Sequence, residues 1–170
     1  FLAYGHKVSF AMVSAEALNV SKVCATARLV AYDVARYDQQ GCYAPHMVFV
    51  ESGGSVSPER FAQYLAHELA VFEEKFPLRT LSLSEASSIV SWRNIEEMTP
   101  GGKVFFADSG SWAVSYQAEG KNFSPSCLNR TIRVIGIDAL SQVPAILEPF
   151  SDLLQTVGIA APPETLVRLA

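Results

Sequence analysis

Short apolar runs of strand length alternate along this 170-residue chain with amphipathic segments that are long enough to be helices. The first strand is predicted over residues 7–13 and the first helix over residues 20–36, where apolar residues recur every three or four positions. Helices are the usual connections between parallel strands. The alternation therefore predicts an α/β domain with three layers, in which helices cover both faces of a mostly parallel sheet.

The same periodicities assign the other elements. Strands are predicted over residues 47–50, 103–107, 111–116, 131–137 and 156–160, and helices over residues 58–76, 84–98, 140–154 and from 163 onward. Ser57 and Pro58 suit the N-cap and first position of a helix, and residues 108–110 suit a hairpin turn. The expected core positions of the first three helices are Val20, Val23, Ala27, Val30 and Val34, then Phe61, Leu65, Leu69, Phe72 and Phe76, then Ile89, Trp92 and Ile95.

Composition excludes several classes of protein. The chain is 49% apolar and 18% charged, which is typical of one globular domain with its own core, and we expect residues 1–170 to form one. Its formal net charge is −4 and it has no run of Lys or Arg, so we expect no nucleic-acid partner. No stretch approaches the roughly 18 consecutive apolar residues that span a membrane, and no signal-peptide pattern is present.

The cysteines and histidines argue against a disulfide framework and a metal centre. Cys24, Cys42 and Cys127 form no Cys-x-x-Cys pair, which favours a reducing compartment and hence the cytoplasm. The three histidines, His6, His46 and His67, lack metal-ligand spacing, and we expect no metal site. We expect His67 and the segment 73–75 to be solvated parts of a helix, and Gly53-Gly54 to be a turn.

Cys42 is the strongest candidate for a functional residue. It follows Gly41 in a turn between the first predicted helix and the strand at 47–50, where a nucleophilic thiol would be presented on a loop anchored by regular structure. One alternative is that Cys42 is a small buried apolar residue, as we expect Cys24 and Cys127 to be structural or incidental. Another is that His46 serves as its base, although residues four apart across a turn need not face each other.

Several segments resemble one enzyme family. They are Tyr37-Asp38-Gln39-Gln40-Gly41-Cys42 with Pro45 and Val48-Phe49-Val50-Glu51, then Gly5-His6-Lys7, and Asn129-Arg130-Thr131-Ile132-Arg133-Val134 with Leu154-Gln155-Thr156-Val157-Gly158. Together they resemble the C-terminal catalytic domain of the aldehyde dehydrogenase superfamily, and within it the bacterial acyl-CoA reductases of the bioluminescence type (LuxC-like). His6 stands where that superfamily has a glycine, and its role is left open.

The resemblance implies a reaction. Cys42 would attack an acyl-CoA or other acyl thioester, coenzyme A would leave, and hydride from NADPH or NADH would reduce the acyl-enzyme to a fatty aldehyde. The backbone N–H groups of Gly41 and Cys42 would help to stabilise the thiolate and the oxyanion. Acid-forming members carry a Glu-Leu pair where this chain has Ala3-Tyr4. Without that general base, hydrolysis of the acyl-enzyme should be slow, which favours reductase chemistry.

The cofactor site is expected to lie mostly outside these residues. No G-x-G-x-x-G follows a strand, and the superfamily's Glu-x-Phe-Gly-Pro would fall near residues 126–130, where neither Glu nor a following Pro stands. We therefore name no cofactor-binding residue and expect a separate cofactor-binding domain in a longer, homo-oligomeric protein. The alternatives are a cofactor-independent Cys/His acyltransferase or thioesterase, and a non-catalytic domain that binds a partner.

Overall fold

A six-stranded sheet forms the centre of the computed structural model, which describes residues 7–118 and 124–169. The strands are β1 (Val8–Val13), β2 (Pro45–Glu51), β3 (Lys103–Phe106), β4 (Ala113–Gln117), β5 (Thr131–Ile137) and β6 (Leu154–Ala160). Their order is β3-β4-β5-β2-β1-β6, and every neighbouring pair is parallel except the β3–β4 hairpin. The predicted, mostly parallel sheet is confirmed.

The helices are α1 (Val23–Ala35), α2 (Pro58–Lys75), α3 (Leu83–Met98), α4 (Val143–Leu147) and α5 (Pro163–Leu169). The single helix predicted over residues 140–154 is wrong, because α4 is one short helix between two 3₁₀ segments, and residue 154 already belongs to β6. Pro149 explains the break, since a proline has no N–H for the helical ladder and its ring collides with the preceding turn.

Both faces of the sheet are buried along its central strands β1, β2 and β5, whereas the edge strand β6 is mostly exposed. On one face, residues of α1 and α2 such as Val34 and Phe61 pack against Val48 and Val114. On the other face, the segment that contains α4 covers a second cluster around Phe49. Strands buried on both sides are typical of parallel sheets, because the crossover segments lie on the two faces. The three-layer αβα prediction is therefore confirmed.

Three predicted core positions are wrong. Val20 is 76% exposed because α1 begins only at Val23, and Phe76 is 59% exposed because α2 ends at Lys75. Ile95 is 64% exposed, whereas the next residue, Glu96, is 2% exposed. Glu96 lies four residues after the buried Trp92 and so on the same face of α3. The core side of α3 thus ends in a carboxylate, which forms an ion pair with Arg133 of β5.

The amino ends of four parallel strands meet at one edge of the sheet. β1, β2, β5 and β6 are neighbours in the order β5-β2-β1-β6 and all run the same way, so the loops that precede them converge. The predicted features at residues 3–6 lie outside the described residues. The loop before β2 carries Cys42, and the topology therefore decides what surrounds it.

Candidate active site

A cavity of about 600 Å³ opens at this amino edge of the sheet. Its walls come from Lys7 and Val8 at β1, residues 39–42 and His46 at β2, residues 125–128 before β5, and Gln155 at β6. A cavity of this size suits a small reacting group and part of a cofactor. Both predicted site residues, Gly41 and Cys42, line it.

Cys42 is exposed and lies on a turn whose backbone is held in place. The N–H of Ala44 donates to the carbonyl of Gly41 at 2.9 Å, and the Ser9 hydroxyl donates to the carbonyl of Cys42 at 2.6 Å. A Cβ at position 41 would lie 3.1 Å from the Tyr43 ring, so the glycine lets that ring pack against the turn. The interpretation of Cys42 as a buried apolar residue is therefore wrong.

Two segments of unusual backbone reach the cavity, and each contributes one lining residue, Gln39 and Leu128. Tyr37, Asp38 and Gln39 have φ of 51°, 53° and 64°, and residues 128–130 have φ of 65°, 54° and 64°. None of these residues is a glycine, and the left-handed region costs an L-residue about 1–2 kcal/mol. Two runs of three such residues persist only where surrounding contacts hold the backbone in this conformation.

Arg130 supplies much of that compensation. Its side chain is 4% exposed and donates to the carboxylates of Asp38 and Glu73, at 2.6 Å each, and to the carbonyl of Phe76 at 2.9 Å. The buried guanidinium thereby bridges the 37–39 segment and the end of α2. The prediction that residues 73–75 are simply solvated is wrong for Glu73, which also accepts from the N–H of Leu78.

His46 contacts a serine in the loop before β5. Its Nδ1 lies 3.2 Å from the hydroxyl oxygen of Ser126. Burial lowers the pKa of His46 below its ordinary value of 6.5, and the main chain of Ser126 offsets part of that effect. The imidazole is therefore neutral at pH 7. His67, in contrast, is exposed on α2, as predicted.

A second thiol lines the cavity, and sequence reasoning did not find it. Cys127 is half-buried, its sulfur lies 3.3 Å from the Thr131 hydroxyl, and burial raises its pKa above the ordinary value of 9.0. Ser126 was also not predicted to belong to the site. The signals for both were their position in the loop before a predicted strand and the alignment of residues 126–130 with the superfamily's Glu-x-Phe-Gly-Pro motif. Cys24 is exposed on α1 and is not among the residues that line the cavity.

No group of His, Cys, Asp and Glu suited to a metal ion occurs in residues 7–118 and 124–169. Within the same described ranges, no helix combines the length and the apolar character that a membrane-spanning segment needs.

The sequence model of a family described as "Acyl-CoA reductase (LuxC)" matches residues 1–170. No curated protein matches the chain significantly in sequence.

Solved structures of aldehyde dehydrogenases share the fold. A mutant of Thermus thermophilus 1-pyrroline-5-carboxylate dehydrogenase has a TM-score of 0.62 at 11% identity, over 97% of this chain and 33% of that one. The Delta-pyrroline-5-carboxylate dehydrogenase of Mycobacterium tuberculosis has a TM-score of 0.60 at 15% identity, over 95% of this chain and 31% of that one. An indole-3-acetaldehyde dehydrogenase mutant of P. syringae, in complex with NAD⁺ and IAA, has a TM-score of 0.59 at 12% identity, over 91% of this chain and 38% of that one. The chain thus spans about a third of the length of the structures it matches.

Proposed function

Because this chain belongs to the acyl-CoA reductase (LuxC) family, we propose that it is the cysteine-bearing catalytic domain of an enzyme that reduces an acyl-CoA thioester to an aldehyde. The observation that carries the proposal is the position of Cys42, an exposed thiol on a braced turn at the mouth of a 600 Å³ cavity. A covalent acyl acceptor needs this combination of access and fixed geometry.

In the proposed reaction, the thiolate of Cys42 attacks the carbonyl carbon of the thioester. The bond between that carbon and the sulfur of coenzyme A breaks, coenzyme A leaves, and the acyl group is held as a thioester of Cys42. Cys42 would hold the acyl group until a hydride, which NADPH or NADH would supply when bound, reduces this thioester to the aldehyde, and the sulfur of Cys42 would leave as a thiolate.

Charge develops on the carbonyl oxygen during the attack, and backbone N–H groups are the natural donors near Cys42. We propose the N–H of Cys42 as one of them, with Gly41 giving the turn its shape. The bond from Ser9 to the carbonyl of Cys42 and the Gly41–Ala44 bond support this, because they restrict how the peptide groups beside the sulfur can turn.

The cofactor is proposed to be held mainly by a domain outside these 170 residues. The cavity has room for a reacting thioester and a nicotinamide ring, but the chain has no glycine-rich dinucleotide motif after a strand. The NAD⁺ complex of the structurally similar P. syringae enzyme supports a nicotinamide cofactor. The three cysteines are free, which supports a location in the reducing cytoplasm. We also propose that the complete protein is a homo-oligomer, and its mass in solution would test this.

The test is acylation of the complete protein by labelled acyl-CoA. We expect label on Cys42 in the parent, none in Cys42→Ala, and a loss of NAD(P)H-dependent aldehyde formation of at least about a thousandfold. Cys24→Ala is the matched control, since Cys24 is also exposed but does not line the cavity, and it should behave as the parent. If Cys42→Ala is acylated as fast as the parent, the proposal is wrong.

The alternatives are less well supported. A Cys/His thioesterase needs an imidazole engaged with the thiol, whereas the hydrogen-bond partner of His46 among the described residues is Ser126. A purely partner-binding domain would not need an exposed cysteine at a cavity. Aldehyde production that depends on NADPH or NADH would exclude both.

A further inference from the structure

Gln39 is a polar side chain sealed inside the wall of the cavity. Its residue is 1% exposed, and it lies where β2 and β5 begin. Its Nε2 donates to the carbonyl of Pro45 and to the carbonyl of Thr131, at 2.8 Å each, and its Oε1 accepts from the N–H of Thr131 at 3.0 Å. Both N–H groups and the carbonyl of the amide are therefore used.

The amide completes the sheet where the backbone alone does not. The β2–β5 pairing begins with Met47 opposite Arg133, and two positions earlier in the same register Pro45 faces Thr131. A proline has no N–H to donate to the ladder. Gln39 donates to the carbonyl of Pro45 on one side. On the other side it donates to the carbonyl of Thr131 and accepts from the Thr131 N–H, which also donates to the carbonyl of Leu128 at 3.3 Å. Its side chain thus takes the place of a rung between the two strands.

The same bonds close a loop around Cys42. The side chain of Gln39 reaches the carbonyl of Pro45, so residues 39–45 form a ring with Cys42 in the middle. Gln39 itself has φ of 64°, and its amide also lies 3.3 Å from the hydroxyl of Ser126, which contacts His46. One buried amide therefore joins the turn that bears the thiol to Ser126 and Thr131, at the start of β5.

We propose that Gln39 is a positioning residue that sets the direction from which the Cys42 thiol meets a bound thioester. The inference rests on the proposed function of Cys42. Gln39 acts through the backbone of residues 39–45 and touches no reacting atom. Loss of its amide would leave the carbonyl of Pro45 and the backbone groups of Thr131 without these partners, and the turn could then shift. A displacement of about 1 Å can cost roughly 100-fold in rate.

The variant that tests this is Gln39→Met, which keeps the length of the side chain and removes every hydrogen bond of the amide. Gln39→Asn is the second variant, because it keeps the amide on a shorter stem that cannot span Pro45 and Thr131 together. Gln142→Met is the matched control, since Gln142 is exposed and does not line the cavity. Circular dichroism of the complete protein shows which variants fold.

Two rates separate positioning from a loss of structure. The first is single-turnover acylation of Cys42 by acyl-CoA, which needs one orientation of the thiol. The second is alkylation of Cys42 by iodoacetamide between pH 6 and 9, a small reagent that tolerates many orientations. In a folded Gln39 variant we expect acylation to fall about 10- to 100-fold with KM for acyl-CoA little changed, and the pH profile of alkylation to stay within about threefold of the parent.

Other outcomes overturn the inference. Acylation equal to that of the parent, an equal fall in both rates, or the failure of both variants to fold would show that Gln39 has only a structural role or none. A parent protein that is alkylated but never acylated at Cys42 would refute the proposed function instead, so the two failures are distinguishable.

Discussion

The hydroxyl of Ser9 lies 2.6 Å from the carbonyl oxygen of Cys42 and donates a hydrogen bond to it. Ser9 belongs to β1 and is 1% exposed, so the bond joins the buried part of the first strand to the turn that bears the thiol. The β1–β2 register is irregular between Ser9 and Ala11, next to this contact. The side chain therefore stabilises the turn where the regular ladder is interrupted.

Replacement of Ser9 by Ala should destabilise the protein by about 1–2 kcal/mol, because a part-buried carbonyl loses its donor. Ser115→Ala is the control, since the buried Ser115 hydroxyl has no hydrogen-bond partner among the described residues, and its removal should be neutral or stabilising. Urea unfolding of both variants measures the difference. Equal stabilities would contradict the role assigned to Ser9.

Arg130→Met should cost about 3–5 kcal/mol, because it removes the cation that pairs with the partly buried carboxylates of Asp38 and Glu73, and the other cation near Asp38, Arg79, lies 4.0 Å away. Arg28→Met should cost less than about 1 kcal/mol, since the Arg28 side chain is 69% exposed where it pairs with Glu68. The free energy of unfolding in guanidinium chloride checks both values. A small loss of stability in Arg130→Met would show that the left-handed segments do not need the ion pairs of Arg130.

The stability of the protein should depend on His46 below pH 6.5. Burial lowers the pKa of His46 in the folded protein, whereas in the unfolded chain it stays near 6.5. The unfolded state therefore binds a proton first as the pH falls, and stability is lost from about pH 6.5 downward until the folded pKa is reached.

His46→Gln should flatten the pH dependence of unfolding over that window, and His67→Gln, at an exposed position, should leave the slope as in the parent. Unfolding free energies measured from pH 8 to pH 5 supply the comparison. An unchanged slope in His46→Gln would be evidence against a buried, neutral imidazole.

Cys127 should be the slowest of the three thiols to react with iodoacetamide at pH 8. The thiolate is the reactive form, and burial raises the pKa of Cys127, while the Thr131 hydroxyl lowers it in part. Peptide mass spectrometry should find modification several-fold slower than at the exposed Cys24, and slower still in Thr131→Val. Faster reaction of Cys127 than of Cys24 would contradict the burial of its sulfur.

The strongly periodic helices α1 and α2 were predicted well, and their errors lie at their ends. The stripe Val23, Ala27 and Val30 is buried as expected, but Val20 lies before the first turn of α1. Periodicity is a local property and identifies the buried face of a helix. Where the helix begins and ends depends on capping and on contacts with other elements, which a hydrophobic pattern does not contain.

The candidate site was predicted only in part. Cys42 and Gly41 stand out because a glycine–cysteine turn before an apolar strand is recognisable along the chain. Gln39 belongs to the same motif, but its burial and its four contacts were not predictable. Two of its partners are Ser126 and Thr131, which are 87 and 92 positions away.

The sequence by itself determined the alternation of strands and helices and the turn that presents Cys42, because each depends on residues close together in the chain. The parallel direction of the strands follows from that alternation, since helices connect parallel neighbours. Only the tertiary structure decided that Gln39, His46, Ser126 and Cys127 line one cavity with Cys42. The order of the strands brings the loops before β2 and β5 side by side, and strand order follows from the packing of the whole sheet.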